Sequence, residues 1–292
     1  MNLSYILVTR NRLDFLKITL NRLLLTLQAD EEVVVIDGNS TDGSAQYLQR
    51  LFEEKKIHQY ISEPDQNQAH GWNKAMLMAK GALIKKIIDD DVYGYDAIKT
   101  CKKYMLQHPE VDVVISNDLT SAVVNYNVIN RNSRLTEYEK WRSGVVRSFT
   151  FSDVHMMIRR SSLSYIGIYH TGYINMDWEY ALRISFLQAN ISYFTGYNAL
   201  NVAHSATITS ISNRKIIEDQ GNKGKLFYEY PGDGYEISNW SRIKILIGKT
   251  LHKMRASKGE GVEVNLDKAY DHYYTFIELL NKSGDFRFIE KV

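Results

Sequence analysis

Short apolar runs alternate with longer segments of helical periodicity in the first third of the chain. The runs lie at 5–8, 33–36, 57–61 and 82–88, and the consecutive lysines Lys85 and Lys86 interrupt the last one. Between the first two runs, leucines recur mostly three and four residues apart over 13–27, as one face of an amphipathic helix requires. Strands that alternate with such helices are typical of a mostly parallel, doubly wound sheet. We therefore predict an α/β fold in which helices flank the sheet.

The composition is that of an ordinary soluble globular protein. Of the 292 residues, 44% are hydrophobic and 24% are charged. The net charge of +2 leaves no basic footprint for nucleic acid, so no nucleic-acid partner is expected. No apolar run reaches the roughly 18 to 20 residues of a membrane span. The single cysteine, Cys101, and an N-terminus without signal-peptide features predict a cytoplasmic protein.

Polar loops follow several predicted strands at their carboxyl ends. These loops contain the segment 9–12, Asp37, Asp65 and the acidic triplet 89–91. Ligands of doubly wound sheets bind beyond this edge. We therefore expect the four loops to form one binding site.

The acidic triplet consists of Asp89, Asp90 and Asp91. Carboxylates this close repel one another, so a positive charge among them would stabilise their ionised forms. A hard divalent cation, Mn²⁺ or Mg²⁺, meets this need and normally brings substrate phosphates with it. The alternative is an acidic turn that binds no ligand.

The order of these segments resembles family 2 glycosyltransferases, the inverting nucleotide-sugar enzymes of the GT-A fold. The resemblance rests on Thr9-Arg10-Asn11-Arg12, Val-Ile-Asp-Gly-Asn-Ser-Thr-Asp-Gly-Ser at 35–44, Glu63-Pro64-Asp65, Asn73-Lys74 and the acidic triplet. It is greatest for the branch that builds bacterial O-antigens and capsular polysaccharides. Two positions depart from that branch, since Ala75 replaces a glycine and His70 replaces an aspartate.

The resemblance implies that one set of residues binds a nucleotide sugar: Thr9, Asn11, Arg12, Asp37, Asn39, Asp65, Asn73, Lys74, Asp89 and Asp90. Asp37 would accept a hydrogen bond from the uracil N–H, which predicts a UDP-sugar, although an aspartate there can also cap the next helix. Lys74 would offset the charge of the diphosphate, or it is a surface lysine. Either Asp89 or Asp90 would face the ribose.

The resemblance also implies a metal site. Asp91 would bind Mn²⁺ or Mg²⁺, and His204, within Val202-Ala203-His204-Ser205, would complete the coordination. The metal would bridge the two phosphates and stabilise the charge on the departing nucleoside diphosphate. A lone histidine near a strand is otherwise structural.

The segment Met176-Asp177-Trp178-Glu179 resembles the catalytic motif of the family, with Asp177 at the position of the general base and Met176 in place of the preceding acid. A carboxylate can take the proton of an acceptor hydroxyl and stabilise an oxocarbenium-like state. One base and a metal-assisted leaving group imply single displacement with inversion. The alternative is that Asp177 only caps a helix, in which case Glu179 is the next candidate base.

The resemblance covers about residues 3–210, which we interpret as one GT-A domain at 1–210. Its nucleotide-sugar half is predicted at about 1–117 and its acceptor half at about 118–210. The segment 117–150 is predicted to be an irregular insertion with short β-like pieces. Residues 211–292 are predicted to form a mainly helical C-terminal extension. Within it, the segment 240–255 combines an apolar helical face with basic flanks. Such a helix either contacts the inner face of an anionic membrane peripherally or packs on the core.

Together these features predict a metal-dependent inverting glycosyltransferase. It would move a sugar from a nucleotide-sugar donor to a hydroxyl of a glycan or lipid-linked acceptor in surface polysaccharide synthesis. Two alternatives stay open: a nucleotide-sugar binding protein without catalysis, and a nucleotidyltransferase. A nucleotidyltransferase would carry a glycine-rich phosphate loop near its N-terminus, and the segment 9–12 contains no glycine.

Overall fold

The computed structural model describes residues 1–203, 214–232 and 265–290. Its strands, in chain order, are β1 (Leu3–Thr9), β2 (Glu31–Asp37), β3 (Gln59–Ser62), β4 (Leu83–Ile88), β5 (Val92–Tyr93), β6 (Val113–Ser116), β7 (Asp118–Ala122), β8 (Ile129–Asn132), β9 (Met156–Arg159), β10 (Ile191–Phe194), β11 (Ala199–Ala203) and β12 (Phe288–Ile289). Its helices are α1 (Leu13–Thr26), α2 (Ser44–Glu53), α3 (Gln68–Met78), α4 (Tyr95–Gln107), α5 (Leu135–Arg142), α6 (Leu163–Ile166), α7 (Met176–Phe186), α8 (Arg214–Phe227) and α9 (Leu266–Ser283). His204 and the segment 240–255 lie outside the described residues, so the predictions for them remain predictions.

The main sheet is mixed but mostly parallel. Among the described residues its strand order is β12-β10-β6-β9-β4-β1-β2-β3. Strands β4, β1, β2 and β3 are parallel neighbours, and so are β6 and β10. Strand β9 runs antiparallel between β4 and β6, and β12 runs antiparallel to β10 at the edge. The predicted α/β fold with a mostly parallel sheet between helices is confirmed.

A second sheet, in the order β5-β11-β7-β8, lies beside the main one. The region 117–150, predicted to be an irregular insertion with short β-like pieces, contains the short strands β7 and β8 and also helix α5, which the prediction missed. The strands are short, and β8 is largely exposed, so the apolar alternation that marks a strand is missing there. Strand β11 pairs with β5 directly after the acidic triplet, and this pairing brings Asn201 and Val202 toward Asp91.

Strand β4 continues through Lys85 and Lys86, and both lysines are buried. The two lysines therefore interrupt the apolar run but not the strand. The Lys85 ammonium donates hydrogen bonds to the backbone carbonyls of Val154 and Met156 and to Asn198 Oδ1. These acceptors compensate part of the cost of burying a charge.

Lys85 makes the stability of the fold depend on pH. Burial lowers the pKa of its ammonium from 10.5 to about 7, so between those values the unfolded chain binds more protons than the folded chain. The free energy of unfolding should therefore rise as the pH increases from about 7 toward 9. Urea unfolding at several pH values measures this slope, and Lys85→Met should flatten it. Equal slopes in the two proteins would contradict the assignment to Lys85.

The described part of the C-terminal extension contains α8 and α9, as predicted, and β12, which joins the main sheet. Helix α9 packs against α4 and β5 and buries Tyr270, Tyr273 and Tyr274. Among the described residues, no helix is both long and apolar enough to cross a membrane.

Candidate functional site

The acidic triplet at the carboxyl end of β4 contacts the segment 9–12 and helix α9. Thr9, at the end of β1, donates a hydrogen bond to Asp89 Oδ2 at 2.6 Å. The Arg12 guanidinium forms an ion pair with the Asp90 carboxylate, and the Tyr270 hydroxyl of α9 donates to the backbone carbonyl of Asp90. The structure thus brings together Thr9, Arg12 and the triplet, which the sequence predicted to share a site.

The Asp91 carboxylate is buried and points toward β11. The Val202 N–H donates to Asp91 Oδ1 at 2.8 Å, and Asn201 Nδ2 donates to Asp91 Oδ2 at 3.3 Å. Burial, followed by the negative charge of Asp90, raises the pKa of the Asp91 carboxyl well above its usual range. A cation beside Asp91 would favour the ionised carboxylate.

The donor groups around Asp91 fit a metal ion that is shared with substrate phosphates. Among the described residues, no group of three or more His, Cys, Asp or Glu side chains is arranged to hold a metal by itself. Mg²⁺ commonly takes only one or two protein carboxylates and completes its shell with phosphates and water. Burial and the charge of Asp90 disfavour the ionised Asp91 carboxylate, and a bound cation would offset both effects.

Asp37, at the end of β2, is fully buried and accepts hydrogen bonds from two serines, Ser40 and Ser62. Its carboxylate accepts hydrogen bonds from the Ser40 N–H at 3.0 Å, from Ser40 Oγ at 2.5 Å and from Ser62 Oγ at 2.6 Å. The residue before α2 is Gly43, and no bond from Asp37 caps this helix. Asp37 therefore shapes the loop between β2 and α2 and does not act as a helix cap.

The loops after β1 and β2 are joined to each other. The Asn11 N–H donates to Ser40 Oγ at 2.8 Å, and Asn11 Oδ1 accepts from the Thr41 N–H at 2.8 Å. Asn11 and Asn39 both adopt left-handed backbone conformations, with φ of 54° and 62°. Asparagine tolerates this conformation better than most residues, which explains the asparagines at these two turns.

Lys74, within α3, forms an ion pair with Asp65 in the loop before this helix. Lys74 Nζ lies 2.6 Å from Asp65 Oδ1 and 2.8 Å from Glu63 Oε1. Burial lowers the pKa of Lys74, but these hydrogen bonds outweigh it and the net pKa is raised. The predicted site residue Asn73 contacts the loop at Tyr169. Its amide oxygen accepts from the Tyr169 N–H at 2.8 Å, and its NH₂ group donates to the Tyr169 carbonyl at 2.9 Å.

Asp177 is half-buried in the first turn of α7. The residue before this helix is Asn175, so Asp177 lies inside the helix and the alternative of an N-cap is wrong. Burial, and then the charge of Asp153, raise the pKa of the Asp177 carboxyl, whereas Lys86 acts in the opposite direction. A carboxyl with a raised pKa is a stronger base once it is ionised.

Lys86 and Asp153 form a buried ion pair that the sequence did not reveal. Lys86 Nζ lies 2.6 Å from Asp153 Oδ2, which also accepts from the Tyr169 hydroxyl at 2.6 Å. The same ammonium lies 4.4 Å from the centre of the Trp72 ring, a cation–π distance. A lysine within an apolar strand was the available signal, because a buried charge requires a partner.

Glu179, the second candidate base, is engaged elsewhere. It is buried and pairs with Arg183 at 2.8 Å, and it also accepts a hydrogen bond from the Tyr228 hydroxyl. These contacts connect α7 to the segment after α8. They indicate a structural role for Glu179.

The fold matches that of solved glycosyltransferases. Staphylococcus aureus TarS (residues 1–349) in complex with UDP-GlcNAc superposes with a TM-score of 0.56 at 17% identity, over 73% of this chain and 62% of that one. A mannosyltransferase from Pyrobaculum calidifontis in complex with GDP-Man and Mn²⁺ gives 0.55 at 16% identity, over 96% of this chain and 85% of that one. The fold is therefore of the GT-A glycosyltransferase type, as the resemblance implied.

Sequence comparison gives the family. The model of "Glycosyl transferase family 2" matches residues 4–167, and this chain belongs to that family. An uncharacterized glycosyltransferase of Nostoc sp. is 26% identical over 136 residues, which are 46% of this chain. The matched region spans 39% of that relative's length.

Proposed function

We propose that this protein is a metal-dependent inverting glycosyltransferase that uses a nucleotide-sugar donor, with a UDP-sugar as the first candidate. The observation that carries the proposal is the contact of Thr9 and Arg12 with the acidic triplet at the carboxyl edge of the sheet. In a chain of glycosyl transferase family 2, this edge is where a nucleotide-sugar donor is expected to bind.

The donor would bind along the carboxyl edge of the main sheet. Thr9, Arg12 and the triplet lie in contact there, and either Asp89 or Asp90 would bind the ribose. Asp37 would accept from the base through the loop that Asn11 and Asn39 also form. Lys74, with its partner Asp65, would lie near the diphosphate, where a cation offsets phosphate charge.

The chemistry assigned to this chain is a single displacement. Mn²⁺ or Mg²⁺, held by Asp91 and by His204, would supply Lewis-acid stabilisation of the leaving diphosphate. Asp177 would accept the proton of an acceptor hydroxyl while that oxygen forms a bond to the anomeric carbon. The bond from the anomeric carbon to the diphosphate breaks in the same step, and the configuration inverts.

The acceptor is proposed to be a glycan or a lipid-linked saccharide in surface polysaccharide synthesis. The support is the resemblance of the segments 63–65 and 73–74 to the O-antigen and capsule branch. A cytoplasmic protein that reaches lipid-linked acceptors through the segment 240–255 would be consistent with this proposal.

The test is a screen of UDP- and GDP-sugars by thermal shift with and without Mn²⁺, because a ligand of the native state raises its melting temperature. The best donor is then incubated with saccharide acceptors, and release of nucleoside diphosphate is measured. Metal-dependent release that requires an acceptor supports the proposal. Donor binding without release under any condition would favour the alternative of a binding protein without catalysis.

A further inference from the structure

A chain of buried and half-buried polar groups begins at Asp91 and leads to His155. Asn201 Nδ2 donates to Asp91 Oδ2 at 3.3 Å, and His155 Nε2 lies 2.7 Å from Asn201 Oδ1. His155 is fully buried in the 3₁₀ turn Asp153–His155, which directly precedes β9. The Asp118 carboxylate lies 3.7 Å from the same ring nitrogen.

The direction of these hydrogen bonds follows from the chemistry of their ends. An ionised Asp91 can only accept, so the Asn201 amide must direct its NH₂ group toward Asp91 and its oxygen toward His155. His155 Nε2 must then carry the proton. Burial lowers the pKa of this imidazole, which favours the neutral ring with its proton on Nε2. Among the described residues, His155 Nδ1 has no hydrogen-bond partner.

The backbone fixes His155 independently of its ring. Asn198 Nδ2 donates to the His155 carbonyl at 3.0 Å, and Asn198 Oδ1 accepts from Lys85 at 3.2 Å. Lys85 also binds the carbonyls of Val154 and Met156, on either side of His155. Lys85 and Asn198 therefore fix the backbone of the turn, and the His155 ring contacts Asn201.

We propose that His155 and Asn201 are positioning residues that orient the Asp91 carboxylate for a divalent cation. This inference rests on the proposed metal site at Asp91. The Val202 N–H donates to only one oxygen of the Asp91 carboxylate, Oδ1. The hydrogen bond from Asn201 to Oδ2 therefore limits rotation of the carboxylate about the Cβ–Cγ bond of Asp91. Asn201 is in turn held by His155. Loss of such a supporting hydrogen bond typically weakens metal binding about 10- to 100-fold.

The experiment measures the Kd of Mn²⁺ by electron paramagnetic resonance, in the presence of UDP and without any acceptor. His155→Met removes the hydrogen bond to Asn201, and Asn201→Leu removes both hydrogen bonds of the chain. Each variant should raise the Kd about 10- to 100-fold. His155→Gln retains an N–H donor at the end of the side chain and should stay within about threefold of the wild type. The double variant His155→Met/Asn201→Leu should be no weaker than the weaker single variant, because both act through one chain.

His108→Met is the matched control, since His108 is a partly exposed histidine at the end of α4 and should leave the Kd unchanged. Thermal unfolding identifies variants that lose structure, and Asn201→Leu carries the test if His155→Met does not fold. An unchanged Mn²⁺ Kd in folded His155→Met or Asn201→Leu overturns the inference. If Asp91→Ala also retains Mn²⁺ binding, the metal site itself is wrong; if only Asp91→Ala loses it, the metal site stands without the positioning residues.

Discussion

Asp177→Asn is expected to lower kcat about 10²- to 10⁴-fold and to leave the Kd of the nucleotide sugar unchanged. Asparagine has the shape of aspartate but cannot accept the proton of the acceptor hydroxyl. The partner of Asp177 in the proposed mechanism is the acceptor, so donor binding should survive. Steady-state kinetics with a saturating donor, together with calorimetry of donor binding, separate the two effects.

The substitution should not disturb the fold, because Asp177 lies within α7 and does not cap it. Glu179→Gln is a matched comparison on the same helix. This variant weakens the contacts to Arg183 and Tyr228. It should therefore lower the free energy of unfolding, while the kcat of the folded protein changes little. Near-normal turnover in a folded Asp177→Asn protein would show that the base lies elsewhere.

Asp91→Ala is expected to abolish the metal-dependent part of nucleotide binding. The Asp91 carboxylate is the metal ligand proposed at the acidic triplet, and without it the cation loses its charged protein ligand there. Calorimetry of UDP binding with and without Mn²⁺ measures the effect. In the wild type Mn²⁺ should increase the affinity for UDP, and in Asp91→Ala the two affinities should be equal.

Asp96→Ala is the control for this variant, because Asp96 lies a few residues further along, in the first turn of α4, with a side chain that is 75% exposed. It removes the same charge and should retain the Mn²⁺ effect. If Asp91→Ala binds UDP in the presence of Mn²⁺ as tightly as the wild type does, the assignment of the metal to Asp91 is wrong. The raised pKa of Asp91 predicts that the Mn²⁺ effect weakens as the pH falls, since protonation of the carboxyl competes with the cation.

The sequence was sufficient for the class of fold and for the residues that gather around the triplet. Apolar runs and leucine spacing are local properties, and they located β1, α1 and β2 to within a few residues. The carboxyl ends of parallel strands must meet at one edge, so the neighbourhood of Thr9, Arg12, Asp89 and Asp90 followed from topology alone. Family motifs added the expected roles, which the proposed variants test.

The partners of buried polar groups were decided by the tertiary structure. Lys86 pairs with Asp153, 67 residues away, and Asp90 meets Tyr270, 180 residues away in the C-terminal extension. His155 reaches Asn201 across 46 residues because β11 packs against the turn Asp153–His155. Hydrophobic periodicity is a local property of residues a few positions apart. The partner of a buried charge, in contrast, is the group that the packing of distant strands places beside it. The sequence therefore predicted which side chains need a partner or a ligand, and only the fold determined which of them meet.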